Sequence, residues 1–458
     1  MSDHRDQSGP ADGPPGPREV PAGLSALFAP ALELYLDLHQ HPELSGAEHR
    51  TAARFADWLE ADGFRVLRGV GGHGVTAELR NADGPTVLLR AELDALPLAE
   101  ATGVRYASAA TATGPEGHPV PMMHACGHDA HLACVATAAR WLSGHRDNWR
   151  GTLVVVGQPA EETLSGAAAM LRDGLYDRIT PPDVVLAQHT APFPAGMVAH
   201  ADGPVLAGSL TLEVLFEGAG GHAGTPHLVA DPLLAAAGTV SRLSAVTARE
   251  TDPAERLIVT ASSLRTGEPG LTGNVIASSA RLRVTARAFS DTTLDRAAAA
   301  VARVANAEAA AAALPPRVSV TELSRSGVTA SDPDVTASVR AAHRAHFGAA
   351  RVTGWPATMA TEDFPLLTGA GAPLHGHPGI RSAYWMLGSV GPAQWAAAAG
   401  AEAADRFRAL PGNHSPHYLP SPRLTLETGT IALVSAALAQ LSRPGRREPA
   451  PKNPQSRR

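Results

Sequence analysis

Four short runs of this sequence gather side chains that bind cations or move protons. His124-Ala-Cys126-Gly127-His128-Asp129 puts a thiol, two imidazoles and a carboxylate within six residues, ahead of an apolar, helix-like run from His131 to Trp141. Gly127 can take backbone conformations closed to other residues, which lets Cys126 and His128 face the same point. Gln158-Pro-Ala-Glu161-Glu162 directly follows the apolar run Thr152–Gly157. Adjacent carboxylates at a strand end can divide labour, one binding a cation and the other taking a proton from water. Gln188-His189 follows a further apolar run, Val184–Ala187, and Asn413-His414-Ser-Pro416-His417 lies in a Pro- and Gly-marked loop before the last helix. Each run alone has a plainer account: a polar loop capping a helix over a buried cysteine, a solvated helix start for the glutamates, an ordinary histidine elsewhere. Their combination is what points to a metal-ligand constellation.

Other chemistries lack their residues. There is no GxSxG serine elbow and no HExxH zinc motif. The single lysine, Lys452, lies in a basic, Pro-rich tail, so Schiff-base chemistry and a phosphate-loop lysine are excluded. Gly69-Val-Gly71-Gly-His-Gly74 fits the dinucleotide pattern, but Val75–Arg80 after it reads as a strand and not a helix, so a hairpin turn is expected there.

These residues need a scaffold, and the composition suits one of more than one domain: 458 residues, 44% hydrophobic and 18% charged. Leu27, Leu32 and Leu36, then Ala53, Phe55 and Leu59, recur at helical spacing on either side of His41-Pro42. Phe64–Leu67, Val75–Leu79, Val87–Leu89, Leu153–Val156 and Val184–Ala187 read as strands, some apolar throughout and so buried on both faces. The expected class is α/β, a larger catalytic domain with a central, mostly parallel sheet. From Gly208 to Leu323 the order β-α-β-β-α-β predicts an inserted, smaller ferredoxin-like lid domain, with Asp231-Pro232 opening its first helix. The expected division is a disordered leader over 1–22, catalytic parts at 23–207 and 324–442, the lid and dimerisation unit at 208–323, and a disordered basic tail at 443–458. A net charge of -6 gives no reason to expect nucleic acid as a partner. With no apolar run of membrane-spanning length and no apolar signal core at the start, the expected location is the cytoplasm, without a membrane partner. The two cysteines, Cys126 and Cys134, cannot make a disulfide framework.

Taken in order, His39-Gln-His41-Pro-Glu43-Leu-Ser, Leu89-Arg-Ala-Glu92-Leu-Asp94-Ala-Leu-Pro97, His124–Asp129, Gln158–Glu162, Gly221-His222 with Pro226-His227, Asn274-Val-Ile and Thr361-Glu-Asp363-Phe364 resemble the peptidase M20 superfamily. Within it they are similar to the amidohydrolase branch, which contains hippurate hydrolases, N-acyl amino acid amidohydrolases and auxin-conjugate hydrolases. The resemblance runs from about Leu24 to Leu441 and implies a metal-dependent amidohydrolase acting on an N-acyl amino acid or similar small conjugate. It further implies two divalent metal ions, with Cys126, His128, Glu162, His189 and His414 at the ligand positions and Glu161 at the general base. Thiolate with imidazole suits Zn, Mn, Co or Ni and does not choose among them. Asp94 matches a residue that orients a ligand, with Glu362 and Asp363 in comparable supporting parts. His222, Asn274 and Arg287 match lid residues that reach the substrate, His222 toward the oxyanion and Arg287 as a carboxylate clamp. A homo-oligomer through the small domain is a further implication.

Three positions depart from the pattern: Glu92 stands for an Asp, Thr-Leu-Ser-Gly follows Glu162 in place of a glycine run, and His417-Tyr-Leu-Pro replaces a more charged continuation. They leave the metal core intact and bear on the substrate pocket. A dipeptidase or N-carbamoyl-amino-acid hydrolase would use the same metals with other lid contacts. A non-catalytic binding protein of this fold would be expected to have lost the base or ligands, and all of those positions are intact here.

Overall fold

The computed structural model describes residues 21–114, 117–267, 273–315 and 318–441. The expected leader, apart from residues 21 and 22, and the expected basic tail lie outside them. The chain first forms helices α1 (Phe28–Gln40) and α2 (His49–Ala61) and strands β1 (Arg65–Val70), β2 (Gly74–Asn81) and β3 (Thr86–Glu92). Helix α3 (His128–Gly144) and strands β4 (Gly151–Gln158), β5 (Val184–Pro194) and β6 (Val198–His200) follow. A second unit comprises β7 (Gly208–Glu217), α4 (Pro232–Arg249), β8 (Leu257–Thr266), β9 (Ser279–Ala288), α5 (Asp291–Ala311) and β10 (Ser319–Ser326). The chain then returns through α6 (Pro333–Phe347), β11 (Val352–Gly354), β12 (Arg381–Val390) and α7 (Pro422–Gln440).

The larger unit is built on an eight-stranded sheet in the order β1-β2-β4-β3-β5-β12-β6-β11. Its centre, β4-β3-β5-β12, is parallel, as is the β6–β11 edge, whereas β1 and β2 join as an antiparallel hairpin. The glycine-rich run at 69–74 is the hairpin turn, with Val70 opposite Gly74. Alternation explains the all-apolar central strands. Val87, Leu89, Leu153, Val155, Val184 and Leu186 face one core with α1, α2, α3 and α7; Leu88, Val154, Val156, Val185 and Ala187 face a second core on the other side. Fully burying each such side chain contributes roughly 1.5–3 kcal/mol, which fixes register, since a one-residue slip would exchange the two faces.

The second unit has four antiparallel strands in the order β8-β9-β7-β10, with α4 and α5 sharing a separate core that includes Leu210, Val214, Phe216, Leu282, Val284, Leu294 and Val301. Its helices begin where the sequence marks them: the Asp231 carboxylate accepts the Leu233 N–H ahead of Pro232, and the Ser290 hydroxyl accepts the Thr293 N–H. One expected boundary shifts. Strand β10 continues to Ser326, opposite Ser209, so a cut at residue 323 would pass through a paired strand. The polar residues Ser324-Arg325-Ser326 carry no apolar signal, and their pairing is a non-local choice.

Candidate metal centre

Parallel pairing of β3 with β4 brings Glu92 opposite Gln158, so the loops leaving both strands share one end of the sheet. The first loop supplies Asp94 and the second Glu161 and Glu162, in the crevice where α/β sheets place their sites. His189 comes from β5, within the sheet, opposite Met386 of β12. Cys126 and His128 arrive on the turn into α3, where Gly127 has φ 83; a Cβ there would lie 2.4 Å from the Thr190 hydroxyl, so only glycine fits. His414 is delivered by the loop before α7 with φ 68, a conformation that non-glycine residues adopt at a cost. That loop is pinned by the His414 N–H on the Ala125 carbonyl at 2.8 Å and by the Asn413 amide donating to the Cys126 and Thr190 carbonyls at 3.1 and 3.2 Å.

These residues converge. Cys126 Sγ is 3.4 Å from His189 Nε2, and His414 Nε2 is 3.3 Å from Glu162 Oε2. His128 Nε2 lies 3.7 Å from Glu161 Oε2 and 3.9 Å from Glu162 Oε1. Cys126, Glu162 and His414 offer donor atoms all within 4.8 Å of one another, and so do His128, Glu161 and Glu162. Two of the atoms facing this space, His128 Nε2 and Glu162 Oε1, are buried and have no hydrogen-bond partner among the described residues. An orphaned buried acceptor costs about 1–3 kcal/mol unless something bonds it, and an acidic and an imidazole lone pair side by side fit a cation. The opposite nitrogen of each ring is anchored: His128 Nδ1 on the Asp94 carbonyl and His189 Nδ1 on the Thr190 carbonyl, both at 2.9 Å. In its neutral form each ring therefore carries its proton on Nδ1 and turns an Nε2 lone pair toward the cluster.

Electrostatics agree with a cation-binding site. Burial, then the carboxylates of Glu162 and Glu161, push the Cys126 thiol well above its usual range, so a thiolate there needs a positive neighbour. Burial, then Glu362 and Glu162, push Glu161 far above the carboxylate range. Burial works against charge on His128, but its hydrogen bond with Asp94 and the nearby Glu92 outweigh it and push its pKa up to about 10, so that without a cation a proton takes the place on Nε2 that a cation would otherwise hold. Asp94 organises the loops around it: its Oδ2 accepts the Ser45 hydroxyl at 2.7 Å and the Glu162 N–H at 2.9 Å.

Two participants, Arg90 and His131, have no role in the sequence reading. Arg90, fully buried, donates to Gln158 at 2.9 Å and pairs with Glu92, Glu362 and, at 3.3 Å, Asp363. An arginine inside Val87-Leu88-Leu89-Arg90-Ala91 was the available signal. Glu92 also accepts from His131 Nδ1 at 2.8 Å, and His131 Nε2 accepts the Thr190 N–H at 2.8 Å. With both ring nitrogens occupied, His131 is a brace and not a ligand, and the longer Glu92 is what spans Arg90 and His131. Asp363 accepts from the Gln158 amide at 2.6 Å and the Ala167 N–H at 3.0 Å, tying down both ends of the Glu161–Glu162 loop.

A cavity of about 460 Å³ opens on this cluster. Cys126, Glu161, Glu162, His189 and His414 line it, joined by Arg287 from β9 of the second unit, which also donates to the Met359 carbonyl at 2.6 Å. His222 and Asn274 do not line it; they sit on and beside the exposed two-residue pairing of Gly221–His222 with Val275–Ile276. No helix of the described residues is long and apolar enough to cross a membrane.

Comparison with known proteins places this geometry among relatives. The sequence profile of peptidase family M20/M25/M40 matches residues 88–402. The N-acetylcysteine deacetylase of Bacillus subtilis is 34% identical over 256 residues, which are 55% of this chain and 63% of that one. The hippurate hydrolase of Campylobacter jejuni is 32% identical over 258 residues, 56% of this chain and 63% of that one. The matched region thus spans less than two thirds of the length of either relative. A solved structure from Bacillus subtilis, described as a dinuclear metal binding peptidase, has a TM-score of 0.67 at 23% identity, covering 91% of this chain and all (100%) of that one, a likeness of fold.

Proposed function

This chain belongs to peptidase family M20/M25/M40, and from that premise we propose that it is a metal-dependent amidohydrolase cleaving the amide bond of an N-acyl amino acid or similar small conjugate. Cys126, His128, Glu162, His189 and His414 would hold two divalent cations of the Zn, Mn, Co or Ni kind. The observation that carries the assignment is the pair of buried, unpartnered atoms, His128 Nε2 and Glu162 Oε1, 3.9 Å apart. Bound cations supply Lewis acidity, polarising an amide carbonyl and lowering the pKa of water. Glu161, at the edge of the cavity and 3.7 Å from His128, accepts the proton of the attacking water. The protonated acid then delivers that proton to the leaving nitrogen. Asp94 fixes the His128 loop and the Glu162 backbone. Arg287, the cationic side chain lining the cavity, clamps the substrate carboxylate through N–H groups not used by Met359. His222 and Asn274 lie on the second unit outside the lining of this cavity, and their part in holding the substrate rests on the family resemblance alone.

The two relatives named for N-acetylcysteine and hippurate support an N-acyl amino acid. The test is amino-acid release from N-acetyl, N-benzoyl, N-carbamoyl and dipeptide substrates after loading the protein separately with Zn, Mn, Co and Ni. Metal-dependent release from the N-acetyl or N-benzoyl members is expected. Release confined to dipeptides or carbamoyl compounds would replace the substrate class, and no release from protein carrying two metals would overturn the activity.

A further inference from the structure

On the amidohydrolase reading, the unexplained part of the cavity is its apolar wall. Trp355 and Phe407 line it together with Leu206 and Met386. Trp355 lies between two other rings, with centroids 5.8 Å from Phe193 and 6.1 Å from Phe407. The three form a tilted and edge-on stack of the kind aromatic rings favour. Each comes from a different part of the chain. Phe193 lies near the end of β5 beyond His189, Trp355 follows β11 and is fixed by its backbone N–H on the His200 carbonyl at 2.8 Å, and Phe407 sits on the short helix Ala403–Ala409. Phe193 is buried, whereas Trp355 and Phe407 are half-buried and present surface to the cavity. The Trp355 indole N–H is shut off from water and has no acceptor among the described residues. None of this serves the metal cluster, and half-exposed rings beside a cation site gain most when an apolar group covers them.

We propose that Trp355 and Phe407 form an aromatic subsite that selects substrates carrying a flat apolar ring next to the scissile amide. The ring stacks against the wall while the amide reaches the Glu161 side of the same cavity. It can belong to the acyl group or to the amino-acid side chain, and the wall recognises the same chemistry in either. Trp355 and Phe407 are thus specificity-determining residues and not catalytic ones. The charged cluster would process any amide that reached it, and the wall decides which amides dwell there.

The experiment measures kcat/KM for N-benzoylglycine, N-acetylphenylalanine and N-acetylglycine in the metal-loaded wild type and in Trp355→Leu and Phe407→Leu. The wild type is expected to prefer one ring-bearing substrate over N-acetylglycine by about 10- to 100-fold, the scale on which apolar pockets discriminate. Which one it prefers tells acyl ring from side-chain ring. Each leucine variant should reduce that preference about tenfold, mainly through KM, and Trp355→Phe, which restores a ring, should recover most of it. The ratio between substrates is the readout, so a general loss of folded protein does not imitate the result. A wild type that cleaves amides without ring preference, or variants that keep the wild-type ratio, would overturn the subsite and leave the amidohydrolase reading standing. Failure to cleave any member of the wider acyl panel with two metals bound would instead overturn that reading.

Discussion

The Cys126 thiol, 3.4 Å from His189 Nε2, is held protonated by burial and by the glutamates beside it. The same surroundings suit a thiolate once a divalent cation shares the space, because the cation's charge reverses the local balance. Cys126→Ser keeps the shape and removes the soft donor, so metal content after dialysis against a weak chelator should fall, with affinity lower by about tenfold or more. Unchanged occupancy would remove Cys126 from the ligand set. At this scale the sequence was informative wherever chemistry and chain position coincide: the compact His124–Asp129 run and the Glu161–Glu162 pair announce themselves. Glu48, Arg90 and His131 do not, because the partners that reveal their roles, Ala160, Glu362 and Glu92 respectively, are 112, 272 and 39 positions away along the chain. Trp355 and Phe407 likewise read as ordinary core-forming residues until the fold sets them beside a cavity.

Among the elements, the loop from β4 into the following helix decides whether the base points correctly. It carries two non-glycine residues at positive φ, Ala160 at 48 and Leu164 at 54, flanking the glutamate pair. Such a turn persists only when held from outside. Glu48, fully buried at the start of α2, does this by accepting the Ala160 and Gly46 N–H groups, both at 2.8 Å. Glu48→Ala should therefore lower kcat by roughly 10- to 100-fold with little change in KM, since small misplacements of reacting groups are costly. Glu48→Gln retains an acceptor oxygen and should keep most of the rate; equal loss in both variants would refute the positioning role. The elements themselves were largely legible, because burial on both faces writes continuous apolar strands and capping writes helix starts. What escaped was pairing, such as the extension of β10 to Ser326, since the polar residues Ser324, Arg325 and Ser326 carry no hydrophobic period.

For the molecule as a whole, the core that carries the site also contains a pH liability remote from the metal cluster. His200 and His343 are buried 3.0 Å apart, nitrogen to nitrogen, and His343 Nε2 donates to the Ala432 carbonyl of α7, so the pair joins β6, α6 and α7. Burial pushes the His343 pKa down to about 4 from the ordinary 6.5. The unfolded chain binds a proton below pH 6.5 that the folded chain refuses until about pH 4, so the stability present above 6.5 is lost as the pH falls through that window. In the metal-free protein, Tm should decline between pH 6.5 and 4, and His343→Gln should flatten the decline; an identical slope in the variant would show that other groups control it. This buried pair has no sequence signature, whereas the two-unit α/β plan that encloses it was legible from the order of the elements. The central claim is that this scaffold presents Glu161 to a substrate held at a metal cluster, and the most direct test is Glu161→Gln, assayed for metal content and amide hydrolysis on the same purified sample. The predicted result is full metal occupancy with turnover reduced by about 10²–10⁴-fold. Normal turnover at full occupancy would contradict it.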